Sequence, residues 1–333
     1  MGTLYNRKVL FFCPDFRKYD EAIANKLRAL GAEVIHFGTD PKGLIYETMM
    51  SSNQARNKFR RLLDKCRAKY FQNIWETIEG ETFNFVFVIK GDTFPDWFLT
   101  KLKEANINAK FILYQWDSLK AYFYRSKSYF TNYKDIYDKI YSFDPCDCNN
   151  IKGIKYRPLF YLDIYANLKE EYSGKLDYDL YFTGSGQKDR VTILSQIADN
   201  SPDLRIIFNF HILFFSKYVK NIIIPKSGFK FYLGNISHHK IIEGMIRSKA
   251  VIDIPSSYQS GLTIRTFEVL SLGRKLITTN QNIRNEPFFS EKNILIIDKN
   301  TPEISRKFLE EPFVSIDMTN YSLESFLLEM LQN

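Results

Sequence analysis

Short apolar runs and amphipathic segments alternate along the first half of the chain. Residues 8–14 (KVLFFCP) and 32–38 (AEVIHFG) are apolar runs of strand length, and residues 19–31 between them carry apolar positions at helical spacing before a glycine. Further runs follow at 83–92 and 110–118. A strand–helix–strand order predicts a parallel sheet with helices on both faces, so the predicted fold class is α/β.

The same alternation starts again near residue 175, which predicts a second unit of the same kind. We expect two Rossmann-like domains, residues 1–165 and 175–315, with their strand-end edges facing each other across a cleft. A helix over residues 316–333 completes the chain and is a candidate to pack back on the first domain.

Charge and the absence of long apolar stretches narrow the choice of partners. The net charge of +8 favours anionic partners. No stretch reaches the roughly 18 apolar residues of a membrane span, no cleavable leader is visible, and the cysteines form no disulfide framework, which predicts a cytoplasmic protein. The positive charge is diffuse and no nucleic-acid-binding motif is present, so we expect no nucleic-acid partner.

Residues 54–75 read as one basic amphipathic helix, with seven Lys or Arg and one Asp between positions 54 and 70. One interpretation is a solvated outer helix of the first domain. The other is a peripheral contact with an anionic membrane surface.

A Gly-Ser-Gly turn lies between a predicted strand and a predicted helix in the second half. Gly184, Ser185 and Gly186 would let backbone N–H groups approach a phosphate, and Arg190 adds positive charge nearby. The turn lacks the spacing of a complete dinucleotide-binding or P-loop motif, so a plain tight turn is the alternative.

A second glycine turn precedes a short helix that carries two charged residues. The turn residues are candidates to bind a diphosphate and are Ser260, Gly261, Leu262 and Thr263. Arg265 is a candidate to neutralise phosphate charge. Glu268 on a half-buried helix requires a partner, which is either Arg265 in a structural pair or the vicinal hydroxyls of a bound ribose.

Polar and aromatic residues follow the strands of the first half, at the edge where α/β sheets bind ligands. Asp15, Asp92 and Asp117 are carboxylates at this edge and candidate general bases. Lys90 and Trp116 are candidate ligand contacts at the same edge.

Two further residues each have two interpretations. Asp144 is either another candidate base or the cap of a turn. His238, at the start of a predicted helix, either contacts a nucleobase or belongs to a surface helix cap.

Residues 236–280 resemble the donor-binding half of GT-B glycosyltransferases. The segment "SGLTIRTFEVLSLGRKLITT" is similar to the spore-coat and surface-polysaccharide branch, with its G-x-x-x-R-x-F-E pattern at Gly261, Arg265 and Glu268. The resemblance implies that Glu268 binds the ribose and the glycine loop binds the diphosphate of a nucleotide-sugar. It implies an acceptor-binding first domain, a glycan or lipid-linked glycan acceptor, no cofactor and no metal ion. In that domain Asp15, Asp92 and Asp117 would be candidates to take the proton of the acceptor hydroxyl. Lys90 and Trp116 would be candidates to contact the acceptor, and the Trp116 ring could stack on its sugar.

The sequence departs from that pattern at one position. Many retaining members carry a second glutamate eight residues before the helix glutamate, and Ser260 stands there in this chain. The stereochemistry of transfer therefore stays open, and a non-catalytic GT-B-like partner subunit is the alternative to an enzyme.

Overall fold

A computed structural model describes residues 3–50, 52–119, 134–172, 174–212 and 226–332. The chain divides into two compact units. The first comprises Met1–Pro158 with Leu327–Asn333, and the second comprises Leu159–Phe326.

The first unit contains a six-stranded parallel sheet in the order β2-β1-β3-β4-β5-β6. Its strands are β1 (Lys8–Cys13), β2 (Glu33–Gly38), β3 (Phe85–Ile89), β4 (Lys110–Gln115), β5 (Lys139–Ser142) and β6 (Ile154–Tyr156). The central strands are almost fully buried, as expected of a parallel sheet covered on both faces.

Helices connect these strands and pack on the sheet. They are α1 (Tyr19–Ala29), α2 (Leu44–Met50), α3 (Asn53–Lys58), α4 (Arg60–Ile78), α5 (Asp96–Ala105) and α6 (Pro145–Asn150). The single basic helix predicted over residues 54–75 is wrong in one respect, because Phe59 lies outside helical geometry and separates α3 from α4. Asp144 accepts a hydrogen bond from the Cys146 backbone N–H at 3.0 Å and caps α6, which is the capping role named as one alternative.

The second unit repeats this architecture, with strand order β12-β11-β10-β7-β8-β9, all parallel. Its strands are β7 (Tyr178–Ser185), β8 (Ile206–Ile212), β9 (Phe229–Leu233), β10 (Ser248–Asp253), β11 (Lys275–Thr278) and β12 (Ile294–Ile296). Its helices are α7 (Asp163–Glu171), α8 (Lys188–Asn200), α9 (His238–Ile246), α10 (Ile264–Ser271) and α11 (Arg306–Glu310), and the boundary between the units falls inside the last helix, α12 (Leu323–Gln332).

The two faces of the second sheet differ in character. One face carries Phe182, Phe208 and Ile252 and packs an apolar core against α8 and α11. The other face carries Tyr181, against whose ring a side chain at Gly244 of α9 would collide, so a glycine there allows close helix–sheet packing. Asp253 ends β10 one residue after the pairing of Ile252 with Phe182, and it too is buried.

Among the described residues, no helix has the length and apolar character needed to cross a membrane.

Candidate donor site

The first glycine turn joins the end of β7 to helix α8. Its backbone is tight, with Gln187 N–H donating to the Ser185 carbonyl at 2.8 Å and Gly186 N–H donating to the His211 carbonyl at 3.1 Å. A Cβ on Gly184 would lie 2.7 Å from the Phe182 ring, so packing alone accounts for that glycine. No side chain caps the N-terminus of α8.

The second turn leads from β10 into α10, and two carboxamides hold its backbone. Asn282 Nδ2 donates to the Ser260 carbonyl at 2.9 Å. Asn280 Nδ2 donates to the carbonyls of Ser260 and Gly261 at 3.2 and 3.1 Å. Leu262 is buried. The loop therefore has a fixed shape set by residues some 20 positions further along the chain.

Arg190 links the two turns. Its Nε donates to the Ile254 carbonyl at 2.8 Å, and its Nη1 donates to the Ser185 hydroxyl at 2.6 Å. Burial lowers the pKa of its guanidinium, and the Asp253 carboxylate opposes that effect. The predicted phosphate-binding cation is thus also the brace between the loop after β7 and the loop after β10.

Arg265 and Glu268 form a buried ion pair, with 2.7 Å between Arg265 Nη1 and Glu268 Oε2. The same Nη1 contacts Met245 Sδ at 3.0 Å. The pair that a structural role predicts is therefore present. A carboxylate has about four acceptor sites in all, so this contact does not by itself exclude a bound diol.

Tyr165 of α7 completes the surroundings of Glu268. Its hydroxyl donates to Glu268 Oε1 at 2.6 Å and lies 2.8 Å from His238 Nε2. An ionised carboxylate only accepts, so the single hydroxyl proton goes to Glu268 and the Nε2–H of His238 donates to Tyr165. The four side chains form one chain of hydrogen bonds across α7, α9 and α10, which brings the predicted residues His238, Arg265 and Glu268 together.

Asp253 lies beneath the second turn. Its Oδ2 accepts the Thr263 hydroxyl at 2.8 Å. Burial raises the pKa of this carboxyl, while Thr263, Arg190 and Arg265 act to lower it and Glu268 adds to the increase. Neither Asp253 nor Tyr165, Asn280 or Asn282 was predicted. The one available signal was the position of Asp253 at the end of an apolar strand.

In the first unit, three predicted residues gather at the carboxyl ends of β3 and β4. Lys90 Nζ lies 3.3 Å from Asp117 Oδ2. Burial raises the pKa of Asp92, Lys90 opposes this, and the negative charges of Asp40 and Asp117 add to it. Lys90 has a left-handed backbone with φ of 69°, which is rare for a residue with a side chain and is typical of functional loops.

Asp15 and Trp116 have different surroundings. Asp15 is more than half exposed and pairs with Lys42 at 2.8 Å. The Trp116 ring packs edge-on against Phe16, with 6.0 Å between the ring centroids. Asp15 and Trp116 therefore lie in exposed or aromatic surroundings, unlike Asp92, whose pKa is raised by burial.

No group of three or more His, Cys, Asp or Glu side chains that could hold a metal ion occurs within the described part of the chain.

Several solved structures match nearly the whole chain. An alpha-glucosyltransferase in complex with UDP and a 13-mer DNA superposes with a TM-score of 0.62 and 12% identity, over 98% of this chain and 96% of that one. The fold is GT-B. A UDP-forming trehalose-phosphate synthase from Burkholderia xenovorans gives a TM-score of 0.58 and 9% identity, over 100% of this chain and 99% of that one. A lipopolysaccharide outer core galactosyltransferase gives a TM-score of 0.50 and 12% identity, over 98% of this chain and 99% of that one.

At these identities the likeness establishes the GT-B fold alone. No protein-family model matches the sequence, and no curated protein matches it significantly. One fold can carry many functions, so the function of this chain depends on the residues of its site.

Proposed function

We propose that this protein transfers a glycosyl group from a nucleoside-diphosphate sugar to a hydroxyl of a glycan acceptor. The observation that carries the proposal is the hydrogen-bonded group of Arg265, Glu268, Tyr165 and His238, in a unit with two glycine turns whose helices lack side-chain caps. Helix N-termini without caps favour anions such as a diphosphate. Three similar structures are named as transferases or synthases, and two of them are named with UDP, which makes UDP the first nucleotide to test.

In the proposed reaction, the acceptor oxygen forms a bond to the anomeric carbon of the sugar, and the bond from that carbon to the diphosphate breaks. The nucleoside diphosphate leaves from the second unit, where the glycine turns bind its phosphates. The acceptor hydroxyl gives its proton to Asp92, because a raised pKa makes a carboxylate a better proton acceptor. Lys90 and Trp116 would contact the acceptor.

Surface-polysaccharide synthesis, lipopolysaccharide or capsule, is the biological setting that we propose, in line with the motif around Glu268. The acceptor would be a lipid-linked glycan, and the protein would bind the inner membrane face peripherally. Support comes from the α2–α4 segment, where Leu44, Ile45 and Leu62 are 80%, 76% and 47% exposed beside many cations. Aliphatic side chains on a basic surface suit an anionic lipid interface better than the backbone of a nucleic acid.

A thermal-shift screen with UDP, GDP, CMP, dTDP and ADP tests the donor assignment, because a ligand of the native state raises the melting temperature by mass action. We expect one nucleotide to raise it in the wild type and not in Glu268→Gln. If none of the five raises it, the proposal is rejected.

Co-sedimentation with anionic and neutral vesicles tests the membrane assignment. We expect binding to anionic vesicles only, lost in the double variant Lys58→Glu, Arg61→Glu. The matched control is Lys292→Glu, Lys299→Glu in the second unit. Binding to duplex DNA with no binding to vesicles would replace the lipid-linked acceptor with a nucleic-acid one.

The alternative is a non-catalytic partner subunit that binds a nucleotide or glycan, and Ser260 is the residue that favours it. Slow hydrolysis of the bound nucleotide-sugar by the purified protein would exclude this alternative. Tight binding with neither hydrolysis nor transfer would support it.

A further inference from the structure

Thr263 does not cap the helix that it precedes. It is the N-cap of α10, with φ of −70° and ψ of 161°, which is the extended conformation from which threonine normally caps. A capping hydroxyl accepts a hydrogen bond from a backbone N–H two or three residues later. The Thr263 hydroxyl instead donates to Asp253 Oδ2 at 2.8 Å, and no side chain caps α10.

Other helices of this chain use such residues as expected. The side chains of Ser52, Asp144, Ser237 and Ser305 each accept a backbone N–H at the start of their helices. Among the helices whose N-cap the structure describes, Thr263 is the one Ser, Thr or Asp that leaves the first turn uncapped. A specific partner therefore accounts for the exception, and that partner is Asp253.

Asp253, which accepts the Thr263 hydroxyl, lies next to both glycine turns of the candidate donor site. The carboxylate is buried at the end of β10, directly before the loop that Asn280 and Asn282 hold in place. Arg190 connects this loop to the first glycine turn, and its positive charge also favours the ionised form of Asp253. Thr183, one residue beyond the β7–β10 pairing and so beside Asp253, has a buried side chain that interacts with the Tyr181 hydroxyl.

We propose that Asp253 is a positioning residue of the donor site, which holds the Thr263 hydroxyl away from the first turn of α10 so that a donor phosphate takes the place of the cap. This inference rests on the proposed function. This role accounts for the presence of the Asp253 carboxylate close to a site for a diphosphate, which is also negatively charged. The charge itself opposes phosphate binding, and its benefit comes from the hydrogen bond that it accepts.

The negative charge of Asp253 and the hydrogen bond that it accepts from Thr263 predict opposite changes in phosphate affinity when the carboxylate is removed. Loss of a nearby negative charge alone would strengthen the binding of a phosphate. Release of the Thr263 hydroxyl would let it cap α10, so that the phosphate must displace the cap, and binding would weaken. A helix cap is worth about 1 kcal/mol, which corresponds to about a fivefold change in affinity.

The test measures the affinity for UDP by calorimetry in the wild type and four variants. We expect Asp253→Ala to bind UDP about five- to tenfold more weakly. Asp253→Asn keeps an acceptor for the hydroxyl. Thr263→Val keeps the backbone N–H through which the turn would bind a phosphate and has no hydroxyl to form a cap, so both variants should stay within about threefold of the wild type. In the double variant Asp253→Ala, Thr263→Val, affinity should return to that of Thr263→Val.

Circular dichroism and thermal unfolding of each variant show whether the fold is intact. Because removing both partners of a hydrogen bond can also restore stability, the melting temperatures must show that Asp253→Ala is fully folded at the temperature of the calorimetry. Unchanged or tighter binding in Asp253→Ala, or a double variant as weak as Asp253→Ala, overturns the inference. A wild type that binds none of the nucleotides rejects the proposed function itself, and the inference with it.

Discussion

The donor end of the second unit and the strand-end cluster of the first unit are built on different principles. At the donor end of the second unit, Arg190, Asp253, Arg265 and Glu268 each have a short hydrogen bond to a partner, as in the chain from Arg265 through Glu268 to Tyr165. In the first unit, Lys90 has a strained backbone and Asp92 has a raised pKa. The contrast suggests that one end is preorganised to bind, while the other keeps a carboxylate ready to take a proton.

The largest expected effect comes from Glu268. In Glu268→Ala, the buried guanidinium of Arg265 loses its counter-ion, so we expect the free energy of unfolding to fall by about 3–5 kcal/mol and donor turnover to be lost. Urea unfolding and nucleotide-sugar turnover measure the two effects. Full turnover in the less disruptive Glu268→Gln would show that this end of the molecule has a structural role only.

Asp92→Asn should reduce transfer about 10²- to 10⁴-fold without weakening donor binding. In the wild type, the rate should rise with pH through the raised pKa of Asp92 and then level off, because the base acts in its ionised form. The control is Asp15→Asn, whose exposed pair with Lys42 lies outside the cluster. Equal losses in both variants would contradict the assignment of the base.

The substitution Asp92→Asn should lower the rate of transfer but raise the stability of the fold. Its folded-state pKa is raised, so the folded protein binds the proton more tightly than the unfolded chain does. The stability present at low pH is therefore lost as the pH rises from the ordinary pKa of 3.8 through the folded value. Asp92→Asn should accordingly melt at a higher temperature than the wild type at neutral pH.

Tyr165→Phe should have a smaller effect. We expect an increase of about fivefold in the KM for the donor with little change in kcat, because Glu268 keeps Arg265 but loses the donor that fixes its second oxygen. The ¹⁵N shifts of His238 should also change as its Nε2–H loses the Tyr165 acceptor. Tyr172→Phe, at a partly exposed tyrosine directly after the same helix, should change neither quantity.

The smallest effect concerns the backbone of Lys90. Glycine adopts a left-handed conformation without the steric cost that a side chain brings, so Lys90→Gly should be about 1 kcal/mol more stable than Lys90→Ala. Both variants remove the pair with Asp117, so the difference between their unfolding free energies isolates the strain. Equal stabilities would mean that the first unit stores no strain there.

Much of the fold was predictable from the sequence because a parallel α/β unit repeats its pattern locally. The runs at β1 and β3 are continuous and apolar, and a glycine follows the end of helix α1. Strand β9 (Phe229–Leu233) was missed because it lies at the sheet edge and is only partly buried. The break at Phe59 was missed because the helical spacing of apolar residues continues across it.

The site was less predictable, since its contacts join distant parts of the chain. Glu268 and Tyr165 are 103 residues apart, and Arg190 reaches the Ile254 carbonyl across 64 residues. Spacing along one helix indicated the pair of Arg265 and Glu268. It could not indicate which tyrosine the fold would place beside that pair.

The anchoring of the second glycine turn has a consequence for how this protein can change over evolutionary time. The carboxamides of Asn280 and Asn282 hold position 260 by its main-chain oxygen, which every amino acid carries. An exchange of serine for an acidic residue there would therefore keep these two hydrogen bonds. The scaffold permits the chemistry at this point to be gained or lost by a single substitution.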